Sequence, residues 1–345
     1  MLALGASHAA RGATPPAPEI TGAGATFPAR IYQQWADQYT QDGGVHIRYQ
    51  PAGSSAGVKR MLAHEADFGA TDVPMSQADL ARHGLFQFPT VVGGIVPVVN
   101  LPALAGKTLR LTPDTLAAIF AGQLTQWNDP RIQALNPGVP LPGQRITRVV
   151  RADGSGTTEV FVQYLKQAAP AASAGIEARG NLAQWPGSTL AAEGTSKLIE
   201  TLQATPNAIG YVSSDYVLRD KLQAVSLRNR SGDWMLPTVA ALSAAIRTGG
   251  LFRQQLDAAP LIDLDGPGVW PIVTATYVLV PRSPASPERA GRVLNFFYRS
   301  FMLGDKSVAG TGFAPLPATT QARIVALLSD FRTASGQLVP VLLMK

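Results

Sequence analysis

Three times in this chain a short apolar run ends in glycine with a hydroxyl residue, just before a stretch of helical periodicity. The loops are Gly22–Pro28 (GAGATFP), Gly53–Gly57 (GSSAG) and Arg151–Thr157 (RADGSGT). A strand, a glycine-hydroxyl turn and a helix in that order point to an α/β architecture with mostly buried strands. The periodicity agrees. Ile31, Tyr32, Trp35, Ala36 and Tyr39 recur at helical spacing after Pro28, a residue suited to a first turn. Val58, Met61 and Leu62 mark a helix over about 57–66, which would put Lys59 and Arg60 in its first turn. Val160, Phe161, Tyr164 and Leu165 mark another. Strands are expected at 46–50, 68–70, 91–99 and 146–150, and surface loops at 136–143 and 170–187.

Two apolar strands, near 95–100 and 272–280, bracket a middle region. If both cross between lobes, residues 19–93 with 269–345 form lobe one and 94–268 form lobe two, with a two-strand hinge and a cleft between them. A chain of 345 residues exceeds what one hydrophobic core usually holds, in keeping with two lobes. Residues 1–18 read as a flexible leader, rich in Ala, Gly and Pro.

Each loop would aim free backbone N–H groups, a hydroxyl and the positive end of a helix dipole at whatever lies above it. One such loop is usually plain helix capping. Three in one chain suit an oxyanion, whose oxygens each accept more than one hydrogen bond. The net charge of +6 favours small anions, yet no run of five like charges exists, so nucleic acid is not an expected partner. Without cysteine, thiolate metal sites and thiol nucleophiles are excluded, and the four histidines form no metal-binding pair. No metal and no cofactor are expected. Enzyme motifs also fail on spacing. Phe27 stands where a dinucleotide fingerprint needs glycine, and Asp153 and Thr157 stand where a nucleophile elbow around Ser155 needs it. No run reaches the length of a membrane span. Trp35, Phe86, Phe88 and Trp270 read as core.

The segments Thr21–Pro28 (TGAGATFP), Gly53–Gly57, Asp67–Asp72 (DFGATD), Gly84–Gly94 (GLFQFPTVVGG) and Arg151–Thr157 resemble the phosphate-binding proteins of bacterial phosphate ABC transporters. Motif order and approximate separation agree, with weaker matches at Trp127–Asp129, Ala208–Val212, Trp270–Ile272 and Leu316–Pro317, so the likeness covers about residues 19–345. It implies the two-lobed periplasmic-binding-protein fold (type II-like), with phosphate stripped of water in the cleft.

Carried over residue by residue, the ligands would be Thr26, Phe27 and Ser54 from lobe one, and Arg151, Ser155, Gly156 and Thr157 from lobe two. Asp153 would hold the Arg151 fork. Asp72, a carboxylate facing an anion, makes sense only if the ligand carries a proton to donate, which phosphate does and sulfate does not. The resemblance further implies a monomeric, non-catalytic periplasmic receptor that hands inorganic phosphate to an ABC permease with a cytoplasmic ATPase. A secreted phosphate scavenger and a phosphatase-like relative are the alternatives. Two departures leave the donors intact: Ala56 stands where many members have Gly, and Thr71 where Ser is common. The stretch 169–194 is shorter than in many members.

Overall fold

The computed structural model describes residues 19–250, 252 and 259–341. The expected leader, 1–18, lies outside the described residues. The first part of the chain alternates strand and helix: β1 (Glu19–Gly24), α1 (Ala29–Gln41), β2 (His46–Pro51), α2 (Ser54–Leu62), β3 (Phe68–Thr71), α3 (Gln77–His83) and β4 (Leu85–Asn100). Next come β5 (Arg110–Leu111), α4 (Pro113–Phe120), α5 (Pro130–Gln133), β6 (Thr147–Arg151) and α6 (Gly156–Ala168). A hairpin of β7 (Glu177–Arg179) and β8 (Leu182–Gln184) precedes β9 (Leu190–Ala192), α7 (Gly194–Ala204), β10 (Ala208–Ser213) and α8 (Ser214–Asp220). Short strands β11 (Gln223–Ala224), β12 (Ser226–Arg228) and β13 (Trp234–Met235) lead to α9 (Val239–Gly249) and β14 (Leu261–Ile262). The chain closes with β15 (Ile272–Pro281), α10 (Pro287–Met302) and α11 (Ala318–Ser329).

One long curled sheet carries the molecule, in the order β2-β1-β3-β15-β4-β10-β6-β9. At one end β1 runs parallel to both β2 and β3. At the other, β6 runs parallel to β10 and β9. The two parallel sets are joined through antiparallel β4 and β15. Residues 85–94 of β4 pair with β15, and residues 95–100 pair with β10, so one strand belongs to both halves. β15 itself pairs with β3, β14 and only the first part of β4. Residues 87–99 of β4 are all buried. Within them 91–99 is apolar throughout, with no alternation, which is what helices on both faces of a sheet demand.

The helical spacing after Pro28 forms α1, whose buried face is the expected set Ile31, Tyr32, Trp35, Ala36 and Tyr39. Its aromatic tips are hydrogen-bonded rather than stranded in the core: Tyr39 donates to Asn295 Oδ1 at 2.8 Å and Trp35 Nε1 to the Ser307 carbonyl at 3.0 Å. On α6, Val160, Phe161, Tyr164 and Leu165 are buried as the spacing required.

Several expectations need correction. α2 begins at Ser54, three residues earlier than the apolar spacing indicated, because the small residues of its first turn carry no periodicity. Lys59 and Arg60 therefore sit in its last turn, where the helix dipole favours cations, and Leu62 is exposed. β4 starts at Leu85 rather than 91, and the expected loop 170–187 contains the β7–β8 hairpin.

Gly57 shows how tightly α2 is pressed on the sheet. A Cβ there would lie 2.6 Å from the Ala70 carbonyl oxygen and 2.6 Å from Gly24 Cα. In an exposed helix Gly→Ala is favourable by roughly 1 kcal/mol. Here the rigid backbone reverses the sign. Gly57→Ala is expected to destabilise the protein by about 1–3 kcal/mol, the range for overpacking, measured by urea or thermal unfolding. A melting temperature equal to or above wild type would contradict this close approach.

Candidate functional site

Four helix starts converge between the two halves of the sheet, each just beyond the carboxyl end of a strand. In open α/β sheets this is where ligand crevices form. Thr26 and Phe27 lie between β1 and α1, and Ser54 opens α2. Ser155 caps α6, its Oγ accepting from the Thr158 amide at 3.2 Å, and Gly194 opens α7. Thr26, Phe27, Ser54, Asp72, Arg151, Ser155 and Thr157 are all buried, and Gly156 joins them in the first turn of α6. The structure thus gathers every residue the sequence pointed to, from loops more than a hundred positions apart.

Arg151, at the end of β6, is the centre of the group, with its side chain only 2 % exposed. Its Nε donates to Asp153 Oδ1 at 2.6 Å and its Nη2 to Asp153 Oδ2. Nη1 reaches across to Thr26 Oγ1 at 3.0 Å and to Thr195 Oγ1 at 3.2 Å. Four of the five guanidinium N–H groups are thereby used, leaving one on Nη2. Asp153 also accepts from the Gly194 amide at 2.9 Å, which ties α7 to the same clasp. Burial pushes the Asp153 carboxyl up, but the Arg151 pair and the amide outweigh it and hold it below the usual carboxylate range. Gly53 has φ of +94°, and a Cβ there would meet Asp153 Oδ2 at 2.6 Å and the Gly154 carbonyl oxygen at 2.8 Å. Only glycine lets the two loops touch at that point.

Across from Arg151, Ser54 Oγ accepts from two amides, those of Asp72 and Gly156, both at 3.2 Å. With both lone pairs filled, its own proton is left to donate. The Gly156 amide is thus turned to Ser54 here. Asp72 follows β3 directly. Its Oδ1 accepts from Thr276 at 2.8 Å and its Oδ2 from Thr157 at 3.3 Å, and its backbone carbonyl accepts from Thr274 at 2.9 Å. Burial raises its carboxyl to about 7, against the pull of the Thr276 hydroxyl, the Arg151 charge and the Thr157 hydroxyl. Taken together, the site offers hydroxyl and amide donors, helix dipoles and a partly neutralised guanidinium, with one carboxylate as acceptor. Such a set suits an oxyanion that brings a proton of its own.

The sequence reading missed Thr195, Thr274 and Thr276. Thr195 was findable: Gly194-Thr195-Ser196 follows β9 and opens α7, a fourth instance of the strand, glycine-hydroxyl, helix pattern. The two β15 threonines had no signal, since alternating Thr in an apolar strand reads as ordinary β-sheet.

Residues 9–300 match the model of the PBP superfamily domain. The chain is 34% identical over 335 residues to a phosphate-binding protein PstS from Xylella fastidiosa, covering 95% of this chain and 92% of that one. It is 35% identical over 305 residues to PstS from Haemophilus influenzae, covering 88% and 91%. The same fold occurs in the phosphate-binding protein from Stenotrophomonas maltophilia, with a TM-score of 0.71 at 20% identity over 95% of this chain and 98% of that one. A high-affinity periplasmic phosphate-binding protein bound with phosphate gives 0.72 at 22% identity, over 94% and 97%.

The burial of Asp72 has a consequence for stability. Its folded-state value of about 7 lies above the ordinary value of 3.8, so the folded protein binds that proton more tightly than the unfolded chain. The contribution is complete below pH about 4 and is lost as pH rises towards about 7. Asp215, buried beside Ser213 and likewise raised to about 7, acts in the same direction. Carboxylates held low, such as Asp153 and Asp67, act below pH about 4 and leave this window alone. In buffer free of oxyanions the melting temperature should therefore fall from about pH 5 to about pH 7.5. Asp72→Asn should remove part of the fall and leave the share of Asp215. A slope unchanged in the variant would show that Asp72 does not carry it.

Proposed function

The chain belongs to the PBP superfamily and, within it, to the PstS phosphate-binding proteins, and from that premise we propose that it captures inorganic phosphate in the cleft and delivers it to an ABC-type permease. The observation that carries this reading is the single acceptor among donors: a buried Asp72 set against Arg151, Thr26, Ser54, Ser155 and Thr157. Ionised, above about pH 7, the Asp72 carboxylate only accepts hydrogen bonds, so opposite a fully deprotonated oxyanion it repels, and opposite HPO₄²⁻ or H₂PO₄⁻ it receives the ligand's proton. Thr26, Phe27, Ser54, Ser155 and Thr157 supply amides and hydroxyls to the oxygens, the Gly156 amide expected among them is instead held by Ser54 Oγ, and Arg151 supplies the formal positive charge.

The lobes of this reading are residues 19–93 with 269–345, and 94–268. Support comes from β4, which changes partners between Gly94 and Ile95. Binding shifts the protein towards the closed arrangement, where Ser54 meets Gly156 and Thr26 meets Arg151. The protein acts in the periplasm as a monomeric receptor and releases phosphate unchanged. No turnover of a chromogenic phosphomonoester, with or without divalent metal, is the check on that last point.

Calorimetry of phosphate against sulfate, on protein stripped of carry-over phosphate, tests the reading. Phosphate should bind and sulfate should not. Arg151→Ala should lose about ten- to a hundredfold in phosphate affinity, since a hydrogen bond to a charged group contributes roughly 1.5–3 kcal/mol. Unchanged affinity would place the ligand elsewhere. Asp72→Asn offers an amide donor as well as an acceptor, so it should keep phosphate binding and gain measurable sulfate binding. Continued exclusion of sulfate by that variant would assign discrimination to the donors instead.

A further inference from the structure

We infer that Thr195 is a positioning residue that commits the Thr26 hydroxyl to donating into the cleft, a role that rests on the phosphate reading above. Thr26 Oγ1 and Thr195 Oγ1 lie 2.7 Å apart, both buried, and Arg151 Nη1 donates to each, at 3.0 and 3.2 Å. A hydroxyl has one proton and two lone pairs, so the proton between the two threonines has two possible owners. If Thr26 gives its proton to Thr195, a lone pair of Thr26 is left to face the anion, and the contact is repulsive. If Thr195 gives its proton to Thr26, both Thr26 lone pairs are filled, by Arg151 and Thr195. The Thr26 proton then has only the cleft to point into. A bound anion selects this second arrangement, and the relay Arg151 to Thr195 to Thr26 to ligand oxygen polarises each bond in turn.

Ser54 shows the same device made from backbone. Its Oγ lone pairs are taken by the amides of Asp72 and Gly156, which commits its proton in the same way. Thr26 takes both of its bonds from side chains of the other half of the molecule, and Thr195 supplies the second. Gly194 makes this possible: it holds φ of +73°, and its amide is fixed on Asp153 Oδ1, so the first turn of α7 is anchored to the same clasp that holds Arg151. Thr26 follows β1, one strand in from the β2 edge, and Thr195 follows β9 at the opposite edge, so the bond also spans the cleft. Its loss should act on phosphate release more than on capture.

The test is a double-mutant cycle on phosphate binding, read by calorimetry and by the release rate in stopped flow. Thr195→Val keeps the shape and removes the hydroxyl. It should weaken binding about three- to tenfold, the net worth of one hydrogen bond, mostly as faster release. Thr195→Ser restores the hydroxyl and should return affinity to within about twofold of wild type. In a Thr26→Val background, Thr195→Val should cost less than about twofold more, because the hydroxyl it directs is already gone. Thr195→Ala is the second deletion variant, in case Val disturbs the fold. Unchanged affinity in both deletion variants overturns the proposal. So do losses that multiply fully in the double mutant, or a failure of Ser to rescue, since a merely structural role would give those results. A wild-type protein that takes up no phosphate overturns the functional reading itself. A wild type that binds beside deletion variants that bind equally overturns only the role of Thr195.

Discussion

A guanidinium cation with 2 % of its side chain exposed has to be neutralised and hydrogen-bonded where it sits, and the cleft is built around that requirement. An isolated buried charge costs many kcal/mol, so Arg151 cannot occupy this position without Asp153. The fork-to-fork pair fixes the plane of the guanidinium, and that plane aims Nη1 at Thr26 and Thr195. Asp153 in turn binds the Gly194 amide, so the charge pair also sets where α7 begins. Gly53 is required by the same geometry, because any side chain there would strike Asp153. One ion pair thereby determines the positions of three of the four helix starts that meet at the site.

The pairing has an electrostatic effect as well. With Arg151 largely balanced by Asp153, the cleft is not a strongly cationic hole. What remains for an anion is a set of oriented dipoles: amide N–H groups, hydroxyls and helix N-termini, which need no reorganisation when a ligand arrives. Asp72 then stands out as a carboxylate buried among donors, pushed up to about 7 because water cannot solvate its charge. The Thr276 and Thr157 hydroxyls and the nearby Arg151 oppose that shift only in part. An acceptor so placed distinguishes a protonated oxyanion from one without a proton, by the sign of one hydrogen bond rather than by size.

The fold class, the helices from Pro28 and Gly156, and the main strands were legible in the chain. Glycine, hydroxyl residues and apolar periodicity are local properties that act over one or two turns. The matched loops were legible too, because each carries its donors in contiguous residues. The boundary errors share a cause: small residues at the start of α2 and the Pro-, Gly- and Ala-rich stretch 170–187 carry no period, so their structure was set by the packing of neighbours. Thr195 lay within reach, since Gly194-Thr195-Ser196 repeats the grammar of the other loops. Thr274 and Thr276 did not, because nothing local marks a strand threonine as the partner of a carboxylate two hundred residues away.

Local sequence was enough for the main strands and helices, though not for all their ends, and for the short loops that present donors at helix starts. Those are consequences of neighbouring residues. The folded arrangement had to set which donors face each other, that the Gly156 amide turns to Ser54, that burial pushes Asp72 up to about 7, and that Thr26 meets Thr195. These depend on desolvation and on hydrogen-bond distances of about 3 Å between residues far apart in the chain, quantities that exist only once the sheet has brought its two ends together.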